Sequence, residues 1–185
     1  TLRAEQVDRR GLRSTKVDVH LVHEPVPQPE SHRSPRPFRE LLDRVENSTL
    51  ADKLKADSLR VLNRIGEAEA RVHGVPTDEL ALHELGSDDT LADIIGTVAA
   101  LVELGIERVF SAPLHVGSGT VRTQHGTLPV PAPGVTELVK DSGAQIISPP
   151  ASAGNLGELL TPTGAALLTT IATFEAPTMR IDVVG

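Results

Sequence analysis

The chain has 185 residues, room for one hydrophobic core with a smaller appendage. Its 25 Asp and Glu outweigh 18 Lys and Arg, giving a net charge of −7; no basic run is dense enough to neutralise a phosphate backbone, and three Phe without Trp or Tyr build no stacking platform, which excludes nucleic acid as a partner. The lack of cysteine removes disulfide, thiolate and iron–sulfur chemistry and leaves imidazole, carboxylate and hydroxyl groups as the reactive set.

No apolar run approaches the roughly 20 residues that span a bilayer, and the opening TLRAEQVDRR has no hydrophobic signal region. A cytoplasmic chain without membrane contact is expected. Because it starts at Thr1 rather than a methionine, a processed chain or a piece of something longer is expected as well.

In chain order, Lys16 to Val22 alternates polar and apolar residues, the pattern of a half-buried strand. The stretch HEPVPQPESHRSPRP holds Pro25, Pro27, Pro29, Pro35 and Pro37 and predicts an exposed, mobile loop. Phe38 to Val45 predicts a short helix. Ser48 predicts the cap of a longer one, with Leu50, Leu54, Leu59, Leu62, Ile65 and Ala68 at helical spacing, running to about His73 and ended by Gly74. Thr77 to Leu82 suits a short helix or a strand. Ser87, followed by Asp88 and Asp89, predicts a capped helix to about Leu104, closed by Gly105. Arg108 to Val116 predicts a strand broken at Pro113, and GSGTVRTQHGTLPVP a hairpin-like pair. Pro133 opens another short helix, Ala144 to Ser148 is a brief strand, and Thr161-Pro162 starts a last helix ending near Ile171. The pattern predicts an α+β fold, a mixed sheet with packed helices, with an α/β layered sheet as the alternative. Residues 1–47 (strand, Pro-rich loop, short helix) are expected to be distinct from a single domain over 48–185.

Three constellations could carry chemistry. In HELGSDDTLAD, Asp89 and Asp93 are four apart on one helix face and repel; a cation or solvation relieves this, and His83 with Glu84 could complete a nitrogen and oxygen site for a borderline divalent metal. The plainer reading is that first-turn acids serve the helix dipole. In HVGSGTVRTQHG, Gly117 and Gly119 permit close backbone approach to a ligand or the positive φ of a turn, and His125 is either a turn residue or a ligand. In TPTG, Thr161 as N-cap and Pro162 at the first helical position leave amides beside the hydroxyls of Thr161 and Thr163, a setting that receives anions or merely caps the helix. Arg122 is the candidate countercharge from elsewhere in the chain.

The strings ALHELGSDDTLADIIG, VGSGTVRTQHGTLPVPAPGVTELV and GELLTPTGAALL, in this order and spacing, resemble the N-terminal part of the LarC nickel-insertion family, and AEARVHG extends the resemblance back to Ala68. The resemblance implies nickel insertion into a pyridinium-3,5-bisthiocarboxylic acid mononucleotide, the pincer cofactor of lactate racemase, with the metal between two sulfurs and a pyridinium carbon. It implies a lyase-type chelatase using CTP and a divalent cation at a site in a C-terminal domain outside this chain. The loop that the family commonly makes rich in histidine offers here His20, His23 and His32, and HELG stands where the family often has HEVG. With that resemblance, residue chemistry assigns His83, Asp88 and Asp89 to nickel; His83, Glu84 and Asp93 to catalysis; and Thr161, Thr163, Gly164, Gly117, Gly119 and His125 to the mononucleotide. Expected partners are that mononucleotide, the C-terminal half of the same protein and further copies of the chain. Two rival readings are a non-catalytic oligomeric scaffold and a metal-dependent phosphoesterase built on His83, Asp88, Asp89 and Asp93.

Overall fold

The computed structural model describes residues 1–20 and 34–180. The chain divides into two compact units, Thr1–Ser34 and Pro35–Gly185. The first contains an antiparallel hairpin of β1 (Leu2–Arg9) and β2 (Leu12–Val19), with Leu2 opposite Val19 and Arg9 opposite Leu12. Arg10 and Gly11 both take positive φ, 55° and 85°, the tight turn whose twist matches that of the strands. Asp8 Oδ1 accepts the Gly11 amide at 2.9 Å. The strand expected from Lys16 is therefore the second half of β2, and most of the expected Pro-rich loop lies outside the described residues.

The second unit is organised around one long helix. After β3 (Arg36–Pro37) come α1 (Phe38–Glu46), α2 (Asp52–His73), β4 (Ala81–Leu82) and α3 (Asp88–Glu103). Short strands follow: β5 (Val109–Phe110), β6 (Leu114–His115), β7 (Gly117–Ser118), β8 (Thr120–Thr123) and β9 (Gly126–Pro129). α4 (Pro133–Val139), β10 (Ile146–Ile147), β11 (Gly157–Glu158), α5 (Pro162–Ile171) and β12 (Ala172–Thr173) complete it. Helix α2 packs on all four other helices, and the core holds Phe38, Leu41 and Val45 of α1, Val61, Leu62 and Ile65 of α2, Ile94 of α3, Leu138 of α4 and Ala165 of α5. Full burial of Phe38 alone contributes about 2–3 kcal/mol. Gly66 lets α2 approach it, because a methyl there would overlap the Phe38 ring. That shared core explains why α1 belongs to the second unit and not with the N-terminal segment to which its position in the sequence assigned it.

Ser48 caps the wrong helix for the sequence reading: its hydroxyl donates to Val45 O at 2.7 Å and closes α1, while α2 begins at Asp52 behind Ala51. The ends of α2 and α3 are as expected. Gly74 adopts φ 68° and its amide donates to Ala70 O, and Ser87 Oγ accepts the Thr90 amide. Among the described residues every sheet is two-stranded: β1–β2, β3–β4, β7–β11 and β8–β9 are antiparallel, β5–β12 and β6–β10 parallel. The fold is α+β with mixed strand pairs, as expected, and not a continuous layered sheet.

Candidate functional site

The C-terminal end of α2 carries Glu69 and His73 one turn apart on the same face, with His73 Nε2 3.6 Å from Glu69 Oε2. The chain stops being helical at Gly74, turns through Thr77–Glu79 and returns along β4, so that His83 leaves this short strand beside the helix end and enters the single 3₁₀ turn Glu84–Gly86. The β8–β9 hairpin brings His125 from the other side. The three imidazoles pack together, with ring centroids 5.1 Å apart for His73–His125, 4.9 Å for His83–His125 and 6.4 Å for His73–His83. His73 and His83 are half-buried and His125 is exposed, which gives the cluster one open side.

Two hydrogen bonds set the hairpin tip. Glu84 Oε1 accepts the Gln124 amide at 2.7 Å, tying the tip to the turn that carries His83. Thr123 Oγ1 accepts the His125 amide at 3.1 Å, and Gly126 takes φ 94° to close the turn. His83 Nδ1 is buried without a hydrogen-bond partner, although buried polar atoms are rarely left unspent. Glu69 is also poorly compensated: its ion-pair partner is His73, charged only when protonated, and burial, aided by Glu84 and opposed by His125, pushes its carboxyl above the usual range.

An imidazole bound through a metal–nitrogen bond of about 2.1 Å keeps its ring centre roughly 3.2 Å from the ion, so two such rings stand about 4.6 Å apart at a right angle and about 6.4 Å apart when opposite. The observed spacings fall in that window, with His73 and His83 across from each other and His125 between them. Among the described residues no three His, Asp or Glu side chains already converge on a common ligation point, so joint ligation requires these side chains to rotate.

The acids singled out in the sequence have other surroundings. Asp88 Oδ1 accepts from Arg36 at 2.6 Å and from Arg44; burial opposes ionisation, but these two guanidiniums outweigh it and hold the carboxyl below its usual range. Asp89 and Asp93 are exposed one turn apart on α3, and Asp93 is pushed upward first by desolvation and then by Asp89. At α5, Thr161 Oγ1 accepts the Gly164 amide at 3.2 Å and Thr161 O accepts the Ala165 amide at 2.8 Å, so two amides of the helix mouth are already engaged, while Thr163 is half-buried beside them. Gly117 and Gly119 take φ 91° and 88° and lie against Gly157–Leu159 and the Asn155 side chain, where a side chain on either would collide. Of the proposed site residues, the imidazole cluster therefore contains His83 and His125, with Glu84 tied to it. His73 and Glu69 join them unannounced, and their signal was the E-x-x-x-H spacing at a helix end, hidden inside the apolar register of α2.

The three strings AEARVHG, HELG and QHG thus meet in space. Compared with known families, residues 1–185 match the model described as "Nickel insertion protein". The chain belongs to the nickel insertion protein family. It is 43% identical over 187 residues to the pyridinium-3,5-bisthiocarboxylic acid mononucleotide nickel insertion protein of Nocardioides sp., covering 100% of this chain and 44% of that protein. It is 37% identical over 179 residues to the protein of the same description in Desulfitobacterium hafniense, covering 97% and 41%, and 40% identical over 183 residues to a putative nickel insertion protein of Methanococcoides burtonii, covering 98% and 43%. The chain spans less than half the length of these relatives. No solved structure matches it. No helix among the described residues is long and apolar enough to cross a membrane.

Proposed function

We propose that this chain receives nickel during insertion into the pyridinium bisthiocarboxylate mononucleotide, and that His73, His83 and His125 hold the ion before it is passed on. The observation that carries this reading is the meeting of three imidazoles from three distant strings around a buried, unpartnered His83 Nδ1, in a chain of the nickel insertion family. Imidazole nitrogen suits Ni²⁺, and the three rings lie close enough together for side-chain rotation to bring them to one ion. Half-burial of His73 and His83 keeps bulk water from competing on one side, while exposed His125 leaves the side through which the ion arrives and leaves. Nickel then exchanges nitrogen donors for the softer sulfurs of the mononucleotide, a transfer downhill in ligand preference.

In this reading Glu84 works by position, fixing the turn next to His125 through the Gln124 amide. Asp88 is already spent on Arg36 and Arg44, so the ligands come from the imidazoles and not from the α3 acids. For the acidic mononucleotide this reading uses the Thr163 amide and the hydroxyls of Thr161 and Thr163 at the start of α5, where Pro162 has no N–H and the Gly164 amide already bonds Thr161 Oγ1. The pincer cofactor of lactate racemase is the product, and CTP with a divalent cation serves the complete protein through residues outside this chain.

The test is titration of the chain with Ni²⁺ by isothermal calorimetry. His83→Ala and His125→Ala are each expected to weaken binding at least about tenfold, the loss of one first-row metal ligand. Wild-type affinity in both variants would refute the site.

A further inference from the structure

Gly134, the second residue of α4, has no conformational need to be glycine: its φ lies outside the left-handed region. A methyl group there would meet one side chain only. It would overlap Glu69 Oε1 and lie 3.6 Å from Glu69 Cδ, with nothing else within 4 Å. This differs from Gly66, whose missing Cβ makes room for a core ring, and from Gly117, whose φ and backbone neighbours both demand glycine. The distance between Gly134 and Glu69 is fixed elsewhere, because α4 is clamped to α2 by Arg71 Nε on Glu137 Oε2 at 2.8 Å and by Arg64 Nη2 on Leu138 O at 2.9 Å.

Glu69 is an unusual acid in this molecule. Asp57, Asp88 and Glu137 each have a Lys or Arg against the carboxylate, whereas Glu69, more buried than any of them, faces His73 and the start of α4. A buried carboxylate without a permanent cation is costly, and a divalent ion at the imidazoles would remove that cost. Three neutral imidazoles would likewise leave an ion with its full double charge in a half-buried place.

We propose that Glu69 supplies a fourth, anionic donor to nickel held by His73, His83 and His125, and that Gly134 is bare so that this carboxylate can reach them. Gly134 is then a positioning residue and Glu69 a ligand. The proposal rests on the imidazole site described above and can fail without it.

The experiment titrates Ni²⁺ alone into wild type, Glu69→Gln, Gly134→Ala and the double variant, with thermal melts of the metal-free chains alongside. Gly134→Ala displaces only the end of a flexible side chain, so its metal-free melt is expected to match wild type. Both single variants are expected to lose about tenfold or more in nickel affinity, within the range for groups that orient or complete a metal site. The double variant is expected to fall no further than Glu69→Gln, since both act through one carboxylate. Wild-type affinity in Glu69→Gln, or losses that add in the double variant, would overturn the proposal. If His83→Ala and His125→Ala lose nickel while Glu69→Gln does not, the fourth donor is wrong and the imidazole site stands; if those histidine variants bind normally, the site itself is wrong.

Discussion

The end of α2 and the start of α3 each gather ionisable groups next to a helix terminus, but they neutralise charge in opposite ways. At the start of α3 the most buried acid, Asp88, has two guanidiniums, and the remaining acids, Asp89 and Asp93, stand in solvent. At the end of α2 the largely buried Glu69 carboxylate lies against the His73 imidazole, which carries charge only when protonated, and His83 Nδ1 has no partner at all. Compensation within the chain marks a structural cluster; compensation left open is what the proposed nickel site rests on. Composition cannot separate the two, because both read as acids and histidines around a cap.

The sharpest way to break this comparison is to remove metal affinity from one region and not the other. His83→Ala and His125→Ala are expected to cost about tenfold or more in Ni²⁺ affinity, whereas Asp89→Ala is expected to leave it within about threefold. A reversed order, read by the same calorimetry, would move the site to α3.

Stability gives the next largest contrast. Asp88→Ala leaves Arg36 and Arg44 without their shared carboxylate and is expected to cost about 1–2 kcal/mol in chemical denaturation, with nickel affinity unchanged. The sign with pH follows from the lowered carboxyl. Its stabilisation is present above the unfolded carboxylate range and is lost as pH falls through the lower folded value, so wild type should lose stability in acid faster than Asp88→Ala.

Glu69 has the opposite slope. Its carboxyl is raised, so its favourable contribution is present below the unfolded value and is lost as pH rises through the folded one. Metal-free Glu69→Gln should therefore be slightly more stable than wild type at neutral pH, by about 0.5–1 kcal/mol, and less stable than wild type once nickel is saturating. Melts with and without nickel read this change of sign directly. A variant destabilised in both states would mean that Glu69 is a packing group.

How much of this was legible in the sequence depended on whether a signal was local. Ser87, Gly74, Thr161 and Pro162 announce helix ends through chemistry within a few residues, and the structure places ends where they say. Ser48 misled because the same hydroxyl that caps a helix start can close the one before it. Strand β1 escaped because Leu2–Arg9 has little alternation and is specified by pairing with β2 across a turn of Arg10 and Gly11, not the Asn-Gly that usually signals it. At the site, His83, Glu84 and His125 drew attention as polar residues in loops. Glu69 and His73 did not, since the periodicity that correctly found α2 treats every residue off the apolar stripe as solvated. Only the return of β4 and the hairpin across the helix end gives that polar pair its meaning.

The smallest effect concerns Asp93, where the two regions come closest to being alike. Like Glu69 it is an acid with a raised carboxyl, caused first by desolvation and then by a neighbouring acid, Asp89. Unlike Glu69 it is exposed, so water screens the repulsion that the i,i+4 spacing creates. Asp93→Asn should relieve about 0.3 kcal/mol of like-charge repulsion on α3 at neutral pH, and less in high salt. Its stability gain should disappear in acid, where both carboxyls are protonated, and its nickel affinity should equal that of wild type. A loss of nickel binding in this variant would show that the α3 acids reach the imidazole cluster after all, and that solvent exposure is a poor criterion for telling the two ends apart.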